Sequence, residues 1–258
     1  MMTKLQAHRG VSAEFPENTM VAFQAAGDQG YGLIELDPKY TADGQIVMLH
    51  DLYLKRTARD ADGGIPAASI TELTLAQARE FEYGSWFHED FKGEQIPVLA
   101  DVLDFSEKNL GVALKFDNVW NEFPDDIRAG FLRAISARGE KVNVGLTCAT
   151  VDAIREAAEA VPTATLHYDG VDLREATLKE VAEAAQGHKL VIWVCFDSPA
   201  TKWFKGERAS VALCERARKY GQLGLWQLSE REELDLAVRE FRPDYVETKG
   251  KLKPWWIE

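Results

Sequence analysis

Two histidines, an arginine and a close pair of carboxylates crowd the first fifty-one residues, as His8-Arg9-Gly10, Glu35-Leu36-Asp37 and His50-Asp51. A histidine titrates near neutral pH and moves protons in either direction. An arginine carries a fixed fork of donors that matches two oxygens of a phosphate. Gly10 lets the backbone turn sharply beside them. Read alone, His8 and Arg9 are as easily a surface ion pair. Glu35 and Asp37 lie two residues apart on an extended run, so both side chains point to one face. Two carboxylates sharing a low-dielectric mouth repel, and a bound cation is the simplest compensation. Carboxylate ligands suit Mg2+ or Ca2+ rather than zinc. The plain alternative is one exposed acid and one salt bridge. His50 ends the extended run from Gln45 to Leu49, entered through Thr41-Ala42-Asp43-Gly44. Asp51 either orients it or caps the next segment of the chain. Its value is as a second histidine, one serving as acid and the other as base across a phosphodiester.

These residues need a frame. Short apolar runs recur at Leu5 to His8, Leu33 to Asp37, Val112 to Phe116, Val142 to Thr147, Ala164 to His167, Leu190 to Cys195, Leu223 to Gln227 and Tyr245 to Thr248. Helical periods separate them: Val151, Ile154, Ala158 and Val161 share one face, as do Leu178, Val181, Ala182 and Ala185. Leu213, Ala217 and Tyr220 repeat the pattern, as do Leu234, Ala237, Val238 and Phe241. Eight strands alternating with helices in 258 residues predict an α/β fold of (β/α)8 TIM-barrel type, a single domain over residues 1–258. An open doubly wound sheet is less favoured, because no G-x-G-x-x-G follows the first strand. The stretch 52–97 breaks the rhythm with Arg59-Asp60-Ala61-Asp62-Gly63-Gly64, a helical stretch around Leu75 to Phe81 and an aromatic run (Phe81, Tyr83, Trp86, Phe87, Phe91). It reads as a small insertion after the second strand, placed where barrel active sites are shaped. Pro16-Glu17-Asn18-Thr19 opens the first helix, with Asn18 or Thr19 as its N-cap and Glu17 or Asn18 as a brace for the His8 loop.

A net charge of -12 argues against nucleic acid or an anionic membrane as partner. It leaves room for an anionic small molecule, since a local cation and an arginine reverse the field within one pocket. Three cysteines, Cys148, Cys195 and Cys214, form no C-x-x-C pair and point to a reducing, cytoplasmic setting. No run is long and apolar enough to span a membrane, and the N-terminus lacks a signal-peptide pattern.

Taken together and in this order, H-R-G, P-E-N-T, E-x-D, T-x-D-G and H-D resemble the glycerophosphodiester phosphodiesterase family. Leu73-Thr74-Leu75, Trp86-Phe87 and Ile96-Pro97-Val98-Leu99 resemble its insertion and exit, and Gly224-Leu225-Trp226-Gln227 its late tryptophan strand. The resemblance covers nearly the whole chain and is most specific up to Leu99. It implies a (β/α)8 barrel that, with one divalent cation, cleaves a glycerophosphodiester to sn-glycerol 3-phosphate and an alcohol. It assigns His8 and His50 as the general acid–base pair, Arg9 and Lys115 to the phosphoryl oxygens, and Glu35 and Asp37 to the metal.

Two departures stand out. The family's third acidic ligand falls at Ala113, two residues before Lys115. Asp117, two residues after Lys115 on the same strand face, is the expected replacement; otherwise it caps the next loop with Asn118. The family's C-terminal Thr-Asp reads Glu247-Thr248-Lys249, which changes the charge at that end of the pocket. His167, Tyr168 and Asp169 end the fifth strand. His167, Trp193, Trp203 and Trp226 are candidate pocket residues for the alcohol group, although packing accounts for such aromatics as readily. His88 and His188 read as surface residues. Trp255-Trp256 packs on the barrel or on a second copy of the chain, so a homo-oligomer stays open. Two other functions fit the sequence: a phosphodiesterase or lyase for another phosphodiester, such as a lysophospholipid or sugar phosphodiester, or an inactive phosphodiester-binding barrel. Water and the substrate's own glycerol hydroxyl are both open as nucleophile.

Overall fold

The computed structural model describes residues 2–257. Strands β1 (Lys4–His8), β2 (Leu33–Leu36), β3 (Pro38–Tyr40), β4 (Ile46–Met48), β5 (Ala113–Phe116), β6 (Val144–Cys148), β7 (Thr165–Tyr168), β8 (Leu190–Cys195), β9 (Gln222–Trp226) and β10 (Tyr245–Thr248) alternate with helices α1 (Met20–Asp28), α2 (Leu75–Ala78), α3 (Leu99–Lys108), α4 (Asp125–Ser136), α5 (Val151–Ala160), α6 (Glu175–Ala184), α7 (Val211–Arg218) and α8 (Arg231–Phe241). All strands but β3 and β4 pair in parallel and close into an eight-stranded barrel, β1-β2-β5-β6-β7-β8-β9-β10. The expected (β/α)8 barrel is therefore the observed fold.

The period of two along each strand builds two cores. Leu5 and Ala7, Ile34 and Leu36, and Leu114 and Phe116 belong to the large core shared with the helices. Each fully buried leucine, isoleucine or phenylalanine among them contributes about 1.5–3 kcal/mol. The intervening positions turn inward. Leu33, Val191, Trp193 and Tyr245 fill the barrel floor, and polar residues occupy the rest. Hydroxyl caps start the helices: Thr19 for α1, Thr150 for α5 and Ser210 for α7 each accept a backbone N–H from the first turn.

Between β2 and β5 the chain leaves the barrel. Strands β3 and β4 form an antiparallel pair, with Pro38 opposite Met48 and Tyr40 opposite Ile46. Val47, Leu49, Leu54, Ala58, Ile70, Ala78, Tyr83 and Ile96 then close a small apolar cluster of their own. The helical stretch expected around Leu75 to Phe81 is one short helix, α2. The aromatic run packs on itself and on Phe15, with Trp86–Phe87, Phe87–Phe91 and Phe15–Phe91 centroids 5.6–5.8 Å apart. Trp256 packs against the large core, while Trp255 is exposed. All three cysteines are buried and unpaired. Among the described residues no helix is long and apolar enough to cross a membrane.

Candidate active site

The register of three neighbouring strands sets the site. His8 pairs with Glu35, and Glu35 with Lys115, so these residues stand side by side on β1, β2 and β5. They share a cleft of about 430 Å³ with Arg9, Asp37, His50, Asp117, Asp169, Trp193, Trp203, Phe204, Trp226, Gln227 and Glu247. The cleft opens beyond the C-terminal ends of the strands, the functional face of such barrels.

The loop after β1 is wound tightly. Arg9 has φ 58° and Gly10 φ 78°, so the backbone is left-handed at two consecutive residues. For Arg9 this is a strained conformation, held by its surroundings. At Gly10 a Cβ would sit 2.7 Å from the Ala22 Cβ, so only glycine fits. The turn aims the Arg9 N–H at Glu35 Oε2 (3.0 Å). Asn18 then ties the loop to the second strand. Its Nδ2 donates to Asp37 Oδ2 (2.7 Å), and its Oδ1 accepts the Asp37 N–H (3.2 Å). Thr19, not Asn18, caps α1.

His8 is half-buried, with Nε2 3.9 Å from Glu35 Oε2 and 3.4 Å from Gln227 Nε2. Burial holds its pKa well below the ordinary histidine value, and the nearby Arg9, Lys249, Lys115 and His50 push the same way. The imidazole is therefore neutral at physiological pH. His50 is different: it is largely exposed, with Nδ1 2.6 Å from Asp51 Oδ1. A chain of charge-assisted contacts runs onward from there. Arg56 Nε donates to Asp51 Oδ2 (2.6 Å), and its two terminal nitrogens donate to Glu17 (2.7 and 2.8 Å). Arg9 Nη1 donates to Glu17 Oε1 (3.0 Å), and Arg9 Nε lies 3.2 Å from Asp37 Oδ2. The chain links the segment carrying His50 to the β1 loop carrying Arg9. Arg56 and His50 outweigh burial and hold Asp51 down at about 2, so it stays ionised over the working pH range. The Asp51→Asn variant keeps the shape but removes that charge. Its kcat is expected to fall about tenfold with KM little changed, because a loosened imidazole loses part of its proton-transfer efficiency. Unchanged steady-state kinetics would remove the orienting role.

Glu35, Asp37 and Asp117 each offer an oxygen within 4.8 Å of the other two. Burial, with Asp37 and Asp117 adding repulsion against Lys115, drives the Glu35 pKa well above the usual carboxylate range. Asp117 is raised by burial and by Asp37. Two buried carboxylates and a half-buried one, mutually repelling and offering oxygen donors alone, fit a hard divalent cation. Ala113 lies one inward step deeper than Lys115, where a longer acid would point toward the barrel floor, and it packs with Leu33, Val191, Trp193 and Tyr245.

The far wall comes from the loops after β7, β8 and β9, and no residue of the Phe81–Phe91 aromatic run lines the cleft. Trp226, Trp203 and Phe204 pack as a triangle, with Trp226 at centroid distances of 5.9 and 5.1 Å from the other two. Trp203 is 68% exposed at the rim. Trp193 lines the cleft floor, whereas His167 lies behind it, 2% exposed and outside the cleft wall. Period-two reasoning from β7 places His167 inward but not its depth.

Two more acids line the cleft beyond the three-carboxylate cluster, Asp169 and Glu247. Burial pushes Asp169 up to about 7 against the pull of Lys115. Burial also raises Glu247, whose carboxylate accepts from the Gln6 side chain. The altered Glu247-Thr248-Lys249 motif points to Glu247, and in the fold Gln6 and Glu247 are register partners, with Gln6 on the same strand face as His8. His88 is exposed, and His188 is half-buried with Nδ1 3.1 Å from the Ala164 carbonyl.

Known proteins show the family and the fold. The glycerophosphoryl diester phosphodiesterase family model matches residues 8–195. A Mycobacterium tuberculosis protein named probable glycerophosphodiester phosphodiesterase 1 is 28% identical, over 96% of this chain and 90% of its own. YhdW of Bacillus subtilis is 30% identical over a segment spanning 62% of this chain and 64% of that protein. Among solved structures, an Oleispira antarctica phosphodiesterase in complex with the product sn-glycerol-3-phosphate superposes with a TM-score of 0.74. That match is 20% identical and covers 97% of this chain and 94% of the other, a likeness of fold. With a match spanning most of its length, this chain belongs to the glycerophosphoryl diester phosphodiesterase family.

Proposed function

We propose that the protein hydrolyses a glycerophosphodiester to sn-glycerol 3-phosphate and an alcohol in a divalent-cation-dependent reaction. The observation that carries this reading is the row His8, Glu35 and Lys115, at equal register on adjacent strands, with His50 lining the same cleft. That row supports a reading with a proton acceptor, a cation ligand and a phosphate-binding ammonium around one cleft.

In this reading Arg9 and Lys115 bind the phosphoryl oxygens and offset charge that shifts in the transition state. Neutral His8 takes the proton of the attacking hydroxyl at its Nε2, the nitrogen 3.4 Å from Gln227. His50, held through Nδ1 by Asp51, delivers a proton from Nε2 to the leaving oxygen. Glu35, Asp37 and Asp117 would hold Mg2+ or Ca2+, which would supply Lewis-acid polarisation of the phosphoryl group when bound. Trp203, Phe204 and Trp226 form the wall against which the alcohol packs.

The test is release of sn-glycerol 3-phosphate from glycerophosphocholine by the purified protein. We expect release that EDTA abolishes and Mg2+ or Ca2+ restores. No release from this or from a panel of other glycerophosphodiesters would overturn the reading. Asp117→Ala is expected to weaken cation affinity about tenfold or more, measured by titrating activity with the metal. Unchanged affinity would exclude Asp117 as the third ligand.

A further inference from the structure

Three large polar side chains are stacked beneath the phosphate end of the cleft, and the reaction as proposed uses only the uppermost. Lys115 Nζ sits 4.4 Å from the centre of the Trp193 ring. The Trp193 indole N–H donates to His167 Nδ1 at 3.0 Å. The two rings lie nearly parallel, with centroids 6.0 Å apart and planes inclined by 28°. Lys115 and His167 are each 2% exposed, and Trp193 is 1% exposed.

The neighbouring strands are cut away to admit this stack. At Gly145 on β6, a Cβ would lie 2.3 Å from His167 Nε2. At Gly224 on β9, a Cβ would lie 2.4 Å from Trp193 Cε3. Any other residue at either position would displace one ring.

We infer that His167 and Trp193 are positioning residues that fix Lys115 at the height and angle needed to meet the phosphoryl group. Lysine is a point charge on a flexible four-carbon stem, without the rigid fork that positions an arginine. An aromatic face beneath it restrains the ammonium by cation–π attraction, which strengthens away from water. A ring face does this only if the ring itself is fixed, and the bond to His167 fixes the indole in its plane. That bond requires an unprotonated Nδ1. Burial keeps His167 neutral, with the charges of Lys115 and Lys189 acting the same way. The proton then resides on Nε2, which has no hydrogen-bond partner among the described residues. An unsatisfied buried donor is costly, so this histidine is held for its acceptor side. The inference rests on the reading of Lys115 as a phosphate ligand, and the test separates the two.

The experiment is a double-mutant cycle read by calorimetric binding of sn-glycerol 3-phosphate and by kcat/KM. Lys115→Met alone tests the underlying reading and is expected to weaken product binding strongly. His167→Phe keeps an aromatic ring but cannot accept from Trp193, and we expect about tenfold weaker product binding and a matching fall in kcat/KM. His167→Asn offers an oxygen close to the Nδ1 position and is expected to stay within about twofold of the parent. In the Lys115→Met background, His167→Phe should cause no further loss. If His167→Phe fails to fold, Trp193→Phe, which keeps a ring face and loses the N–H, replaces it in the cycle. Unchanged binding in the single variant, or an equal loss with and without Lys115, would overturn the positioning role. An unaffected Lys115→Met would remove Lys115 from the phosphate site and the positioning role with it.

Discussion

Replacing His8 by alanine should lower kcat by about 10²–10⁴-fold, the usual range for a proton-transfer group, while the thermal unfolding temperature moves by only a few degrees. His8 lies at the strand end, and little of the packing depends on it. Its Nδ1 has no partner among the described residues, and its Nε2 reaches only Gln227 and Glu35. The pH dependence adds a second readout. A base must be unprotonated, so activity falls as pH drops through its pKa. Burial and the positive charges of Arg9, Lys249 and Lys115 hold that pKa well below 6.5. The acidic limb of the kcat/KM profile is therefore expected below the ordinary histidine range. Its steepness should relax in His8→Gln, where the titrating group is gone. An alanine variant with near-parental turnover, or an acid limb at or above pH 6.5, would show that His8 is not the base.

The barrel was legible because its outward positions carry the periodic signal and its inward positions carry the chemistry. In β1, Leu5 and Ala7 face the helices while Gln6 and His8 face inward. In β5, Leu114 and Phe116 alternate with Ala113 and Lys115. Finding one face of each strand in the sequence therefore finds most of the candidate site. The β3–β4 hairpin was only half legible: Ile46–Met48 reads as extended, but Pro38–Tyr40 merges with the run before it. The chain turns away from the barrel at Asp37, and nothing in Leu36-Asp37-Pro38 marks that turn as distinct from a strand end. Glu17 and Arg56 were illegible as partners for a different reason. Thirty-nine residues separate them, and their meeting depends on how the segment after β4 folds back over the β1 loop. The same holds for the wall: Trp203 and Trp226 read as isolated aromatics until the loop after β8 folds against the end of β9.

The cation-free protein is expected to lose stability as pH rises above about 6.5, and Glu35→Gln should lessen that loss. Glu35 is 3% exposed and faces Asp37 and Asp117. Its folded-state pKa is raised well above the 4.5 of an ordinary glutamate, chiefly by burial. A raised pKa means the group contributes stability that is fully present below pH 4.5 and lost as pH rises through the folded value. Asp169, at about 7, and Glu247 act in the same direction. Glu17 and Asp51 act oppositely, but their lowered pKa values confine that effect to pH below their ordinary ranges. His8 and His167, held neutral by burial, destabilise the fold below their ordinary value of 6.5 and so oppose the raised acids there. Above about pH 6.5 the raised acids set the slope, so the EDTA-treated protein should unfold at a lower temperature at about pH 8 than at about pH 6.5. Mg2+ or Ca2+ at a hundred times its Kd should restore about 2.7 kcal/mol, or roughly 5–10 °C for a chain of this size. That shift should shrink at pH 5, where protons compete for the same oxygens. Glutamine keeps an acceptor for the Arg9 N–H and removes one of three repelling charges. Glu35→Gln should therefore raise the unfolding temperature of the cation-free protein by about 2–4 °C, reduce the cation-induced shift and abolish turnover. Stability and activity are opposed at this position, as expected where a binding site is assembled from groups that repel until their ligand arrives. A Glu35→Gln protein that is less stable without the cation, yet still gains the full shift on its addition, would place the cation elsewhere.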